Sequence, residues 1–119
     1  MSKNETAEVI ARFNDAFQRH DGGVFAEIVA KDCVIENTQP APDGSRHVGR
    51  EACVELWRQI ATAPEIRFDL EDVTVIEDRA IIRWRLRRGA GGHDSVRGVN
   101  LMRVRDGLIV EALGYVKGQ

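Results

Sequence analysis

The chain has 119 residues, 43% apolar and 30% charged, a balance that suits one packed domain and leaves little room for two. A formal net charge of −2 at pH 7 gives no basic footprint for nucleic acid. No apolar run approaches the ~18 residues that a membrane-spanning helix needs, and the polar start Met1-Ser2-Lys3-Asn4-Glu5 does not read as a signal peptide, so the expected location is cytoplasmic.

From Glu5 to Arg19, Val9, Ile10, Phe13, Ala16 and Phe17 fall on one stripe, which predicts a helix. Ser2 with Glu5 fits a capping box at its start, and Asp21-Gly22-Gly23 stops it. Val24 to Ala30 predicts a short second helix. Cys33 to Thr38 then alternates as a strand, with Cys33, Ile35 and Asn37 on one face and Val34, Glu36 and Thr38 on the other. The segment from Gln39 to Ser45 is a loop by its turn residues. Arg50 to Ala63 predicts a third helix with Ala52, Cys53, Leu56, Trp57 and Ile60 on its apolar side, ended by Pro64.

At Glu65 the period changes to two. Ile66, Phe68 and Leu70 alternate with charged residues, and Val73 and Val75 continue in the opposite phase, which predicts a β-bulge at Glu71-Asp72. Three further strands are expected: Ala80 to Arg88, Asp94 to Arg105 and Leu108 to Val116, with turns at Glu77-Asp78-Arg79, Gly89-Ala90-Gly91-Gly92 and Asp106-Gly107. Helices gathered before a run of hairpin-linked strands indicate an α+β fold, three helices on one face of a curved, mainly antiparallel sheet. Three short helices cannot fill such a sheet, so a pocket is expected between the layers.

Cys33 and Cys53 lack metal-like spacing and read as buried thiols, and His20, His47 and His93 are scattered in loop-like surroundings. Nothing in the sequence implies a metal or an organic cofactor. Arg83, Arg85 and Arg87 alternate with apolar residues and read as a solvated strand face.

Order, length and local motifs resemble the nuclear transport factor two-like superfamily, in its SnoaL-like polyketide cyclase and ketosteroid isomerase branch. The resemblance runs from about Glu5 to Lys117 as a single domain. It is carried by Val9-Ile10-Ala11-Arg12-Phe13 with Asp21-Gly22, by Asp32-Cys33-Val34-Ile35-Glu36-Asn37, by Gly49-Arg50-Glu51-Ala52, and by Arg97 to Ile109. It implies a conical pocket and a homodimer through the sheet. Ketosteroid isomerases place a tyrosine oxyanion donor where Phe13 stands, an aspartate base where Asn37 stands, and a protonated aspartic acid where Asn100 stands. SnoaL-like cyclases also use an acid/base aspartate at this last position. An amide has no tunable pKa and Phe13 has no donor, so the resemblance does not extend to standard ketosteroid isomerase chemistry.

Asn37 and Asn100 are therefore the candidate catalytic positions, and Phe13, Trp57, Trp84 and Met102 the candidate ligand-binding wall. Two registers of the last hairpin remain open. A tight two-residue turn pairs Asn100 with Leu113 and brings Glu111 and Tyr115 into the pocket. A three-residue turn with a glycine bulge pairs Asn100 with Ala112 and turns both residues out, which spares Glu111 an apolar interior. The expected function is binding of a small apolar oxygenated molecule. Two alternatives are an active cyclase, isomerase or hydrolase using Glu111, Tyr115 or His47 as acid/base, and an accessory dimer whose pocket is filled by Trp57, Trp84 and Met102. Val99 and Leu101 are expected on the outer sheet face at a dimer interface rimmed by Arg97, Arg103 and Arg105.

Overall fold

The change of period at Glu65 marks the end of the last helix in a computed structural model, which describes residues 3–89 and 94–118. The expected capping residue Ser2, His93 and the Ala90-Gly91-Gly92 turn lie outside the described residues. The elements run α1 (Lys3–Gln18), α2 (Phe25–Ile28), β1 (Val29–Glu36), β2 (Arg46–Val48), α3 (Arg50–Thr62), β3 (Ile66–Ile76), β4 (Arg79–Arg88), β5 (Asp94–Arg105) and β6 (Leu108–Val116). The strands form one sheet in the order β2-β1-β6-β5-β4-β3. All neighbours are antiparallel except β1 and β6. The sheet is curved and unclosed, and the three helices pack on its concave face. The bulge expected near Glu71 is present, between Leu70 and Asp72.

Two elements differ from the sequence reading. The second helix is a single turn, and β1 already begins at Val29, where the helix was expected to continue to Ala30. Val29 pairs with Ile109 on β6 and its carbonyl accepts from Arg50 Nε at 2.9 Å, so backbone partners hold it extended. The short β2 was not expected. Its three residues are too few to show a period, and they are held as a strand by pairing with Val34, Ile35 and Glu36.

The last hairpin adopts neither expected register. Asp106 and Gly107, both at positive φ, make a tight two-residue turn between Arg105 and Leu108. The ladder then slips by one residue above Val104↔Ile109, so that Arg103 faces Glu111 and Asn100 faces Gly114. This bulge reverses the facing that the tight turn alone would give. Ala112 and Gly114 point inward, and Glu111 and Tyr115 point out.

The core lies at the narrow end of the cone. Ile10 of α1, Phe25 and Ile28 of α2, Cys53 of α3 and Val29, Cys33, Met102, Val104 and Ile109 of the sheet are all essentially inaccessible there. Burying each such side chain contributes roughly 1.5–3 kcal/mol.

Candidate functional site

The wide end of the same cone holds a cavity of about 230 Å³. Its inner rows follow from strand alternation. On β4 the inward residues are Ala80, Ile82, Trp84, Leu86 and Arg88; on β5 they include Met102, Asn100, Gly98 and Val96. Ala80 and Met102 are buried beneath the floor, and Ile82, Trp84, Leu86, Arg88 and Asn100 line the cavity. Aromatic rings close the walls in a belt of edge contacts. Trp57 meets Phe13 at 4.8 Å, Phe13 meets Phe17 at 5.0 Å, Phe17 meets Phe68 at 5.3 Å and Phe68 meets Trp84 at 5.5 Å.

Apart from Arg88 and the indole N–H groups, the polar side chains in this apolar shell are amides and one hydroxyl: Asn14, Gln18, Asn37, Thr38, Gln39 and Asn100. Gln18 donates from Nε2 to the carbonyl of Phe68 at 2.8 Å, tying the end of α1 to β3. Asn100 accepts at Oδ1 from Trp84 Nε1 at 3.3 Å. That bond fixes the amide orientation and turns the Nδ2 donors away from the indole. Two glycines make the arrangement possible. A Cβ on Gly98 would stand 2.4 Å from the Trp84 ring, and one on Gly114 would stand 3.3 Å from Asn100 Oδ1 and 3.0 Å from Thr38 Cγ2. Asn37 is held from its backbone, where its N–H donates to Ser45 O at 2.8 Å. Gly44, at φ +78, packs on the Asn37 carbonyl so closely that a Cβ would overlap it at 1.7 Å.

Of the residues singled out from sequence, Phe13, Asn37, Trp57, Trp84 and Asn100 meet around this cavity. Met102 does not. It is fully buried under the floor, because it stands one inward step nearer the narrow end than Asn100. Glu111 and Tyr115 are on the outer face, Tyr115 half exposed and paired with Val99, so neither can act as the pocket's acid or base. His47 sits on β2 away from the cavity, with Nε2 bonded to Ser45 Oγ at 2.8 Å. Among the described lining residues the sole titratable side chain is Arg88. The cavity is also open space, which removes the expectation of a pocket plugged by Trp57, Trp84 and Met102.

The two cysteines, 20 positions apart in sequence, come together beneath the site. Cys53 Sγ donates to the Cys33 carbonyl at 3.4 Å and approaches the His47 carbonyl at 3.5 Å. Burial pushes both thiols above the ordinary range, and in Cys33 the neighbouring Cys53 pushes further, so both stay protonated and unreactive. Among the described residues no cluster of three or more His, Cys, Asp or Glu could hold a metal ion, and no helix is long and apolar enough to cross a membrane.

Sequence reasoning missed Phe17, Gln18, Phe68, Leu86 and Arg88 as lining residues. For Leu86 and Arg88 the signal was present, since both continue the Ile82-Trp84 alternation. Gln18 gave none, because it is a polar residue at the last position of α1.

A helix-covered, half-open cone with its cavity at the wide end is the nuclear transport factor 2-like architecture. The chain belongs to the SnoaL-like domain family, which matches residues 10–112. An NTF2-like protein of unknown function from Mesorhizobium loti is 63% identical, with a TM-score of 0.91 over 98% of this chain and 93% of that one. A protein provisionally designated a ketosteroid isomerase, from Kribbella flavida, shares 18% identity with a TM-score of 0.80 over 98% of this chain and 80% of its own. One provisionally designated a polyketide cyclase, from Sinorhizobium meliloti, shares 23% identity with a TM-score of 0.73 over 90% and 93%. The last two are likenesses of fold. No match is found among curated proteins.

Proposed function

We propose that this protein binds a small, apolar, oxygenated molecule in the cone and holds it without acid–base turnover. One observation carries the reading: the cavity is walled by aromatic rings and amides, and no carboxylate, histidine, cysteine or tyrosine is among its described lining residues. Asn37 and Asn100, at the positions where the ketosteroid isomerases carry carboxylates, recognise an oxygen by hydrogen bonding and cannot exchange a proton with carbon at neutral pH. With Oδ1 engaged by Trp84, Asn100 offers donors, which favours a carbonyl or ether oxygen in the ligand.

The test is titration with a simple ketone, 2-nonanone, followed through tryptophan fluorescence and backbone amide shifts. Saturable perturbation at Trp57 and Trp84, weakened in Asn100→Leu, is expected. An unresponsive cavity overturns the reading. The wild type should leave a β,γ-unsaturated ketone unisomerised. The double variant Asn37→Asp with Asn100→Asp should gain measurable isomerisation, because a carboxyl at position 100 would be raised by its apolar site and one at position 37 would stay ionised. Robust isomerisation by the wild type would refute the assignment of the two asparagines.

The protein is also proposed to be a homodimer through the outer sheet face. Ile81, Leu101 and Leu113 form a cross-strand apolar row there, flanked by Val99 and the half-exposed Tyr115. Sedimentation showing monomer alone at micromolar concentration would exclude the dimer. Arg97 and Arg105, expected at the rim, are already paired within the chain, with Glu71 at 2.8 Å and Asp32 at 2.9 Å.

A further inference from the structure

The cavity has one charged wall residue, and its sign and position have a consequence for the ligand. Arg88 closes the inward row of β4 that runs Ile82, Trp84, Leu86, Arg88, so its stem continues the apolar wall and its guanidinium stands at the mouth. Four of the arginines on the outward face are already engaged. Arg85 and Arg87 pair with Glu71 and Asp69, and Arg97 and Arg105 with Glu71 and Asp32. Among the described residues no carboxylate is in ion-pair contact with Arg88. Its cross-strand neighbour Asp94 forms no ion pair with it, so the guanidinium on this apolar lining row is placed to receive a counter-charge from the occupant.

The second fixed point lies deeper. Asn100 pairs across strands with Ile82, six residues before Arg88, and its amide is locked by Trp84 with the donors free. Six residues of strand span about 20 Å between the two backbones, so one small molecule reaches both groups when the long arginine side chain leans along the wall toward Asn100. The wall between them is Trp84, Leu86, Phe68 and Ile66, wholly without charge.

We propose that the occupant is an elongated apolar monoanion: an acceptor oxygen, ketone or ether, at the Asn100 end, a hydrocarbon body along Trp84 and Leu86, and a carboxylate at Arg88. This rests on the small-molecule reading above and specifies the ligand class for that site. It predicts a protein that takes up oxo-acids in preference to their neutral esters, although its deep polar groups are all uncharged.

The experiment compares three probes: 9-oxodecanoate, its methyl ester and decanoate, each titrated at low ionic strength by tryptophan fluorescence and amide shifts. The acid should bind several-fold more tightly than the ester, with the preference shrinking as salt screens the rim charge. Arg88→Gln should weaken the acid several-fold more than the ester, so that the preference is lost, and Arg88→Lys should keep part of it. Decanoate, which lacks the ketone, should bind more weakly than the oxo-acid, and Asn100→Leu should remove that difference alone. Equal binding of acid and ester, or an acid preference that survives Arg88→Gln, overturns the anion assignment and leaves the pocket reading standing. Failure of all three probes to bind overturns both.

Discussion

The narrow and wide ends of the cone are built from the same strands with the same alternation, yet one is solid and the other hollow. At the narrow end Ala80, Met102 and Val104 meet Ile10, Phe25, Ile28 and Ile109 with no accessible space left. Further along β4, Trp84 and Leu86 face a cavity of about 230 Å³. The difference is helix cover. α2 is a single turn whose Phe25 packs behind Phe13, Phe17 and Trp57, and the wide end is reached only by Phe13, Phe17, Trp57 and Ile60 from α1 and α3. The hollow is thus a shortage of helix over a sheet kept curved by its bulge, and the amides line a space that the backbone geometry creates. Interiors are otherwise close-packed, so an unfilled volume of this size in an aromatic shell is a site for something else to fill.

This contrast makes its largest demand on core truncation. Phe25→Ala at the narrow end should destabilise by about 3–5 kcal/mol, because its neighbours cannot collapse into the space. Leu86→Ala, on the wall of an existing cavity, should cost much less. Chemical denaturation that gives equal losses at the two positions would show that the ends are packed alike.

The second test uses the buried thiols of the narrow end. Their folded pKa values are raised above the unfolded ones, chiefly by burial and in Cys33 also by Cys53. Their contribution to stability is therefore complete below the ordinary thiol value and lost as pH rises above it. Above pH ~8.5 the unfolded thiols ionise and the folded ones do not, so each erodes stability by up to about 1.4 kcal/mol per pH unit. The paired Cys33→Ala and Cys53→Ala variant should flatten this alkaline slope. An unchanged slope would place the thiols nearer water than the fold implies.

At the wide end the corresponding lesion is Gly98→Ala. Its Cβ would meet the Trp84 ring at 2.4 Å and the Tyr115 carbonyl at 2.6 Å, so the indole must leave Asn100. Destabilisation of about 1–3 kcal/mol is expected, with a tryptophan emission shift and loss of the ketone preference. Retained ligand discrimination would mean that the Trp84–Asn100 bond does not orient the amide.

The fold was legible in the sequence because it rests on periodicity. The switch from helical to strand period at Glu65, the phase slip at Glu71-Asp72 and the Asp106-Gly107 turn all reappear in the structure. Of the residues found around the cavity, Phe13, Trp57, Trp84 and Asn100 were legible for the same reason, as they occupy inward positions of α1, α3, β4 and β5, and Asn37 follows the last residue of β1. The rest depended on facts without a local signature. Met102 differs from Asn100 only by its depth along the cone. The bulge at Val110, which decides where Glu111 points, leaves no mark in composition: Val110 is an ordinary strand residue. The Cys33–Cys53 contact depends on the docking of α3 against β1, which no spacing encodes.

The smallest effect belongs to the outer face, and it sharpens the comparison by its weakness. Asp69 and Glu71 are held below the ordinary carboxylate range mainly by hydrogen bonds from Arg87 and Arg97, and Asp32 by one from Arg105. A depressed folded pKa contributes stability above the unfolded value and loses it as pH falls through the folded one. Stability should therefore decline as acid titrates these carboxylates, in the opposite direction to the thiol effect. The pairs stand at the solvent surface, where partial desolvation and side-chain entropy both oppose the attraction. Their loss should be shallow and should nearly vanish at 1 M salt, where the Debye length falls to about 3 Å. The alkaline loss at the narrow end arises from burial and should persist in the same salt. An acid decline that resists salt as the alkaline one does would mean that the outer face is shielded from water. That is what a sheet-to-sheet dimer would produce, so the salt dependence of acid unfolding, measured across protein concentrations, tests the proposed dimer as well as the contrast between the two regions.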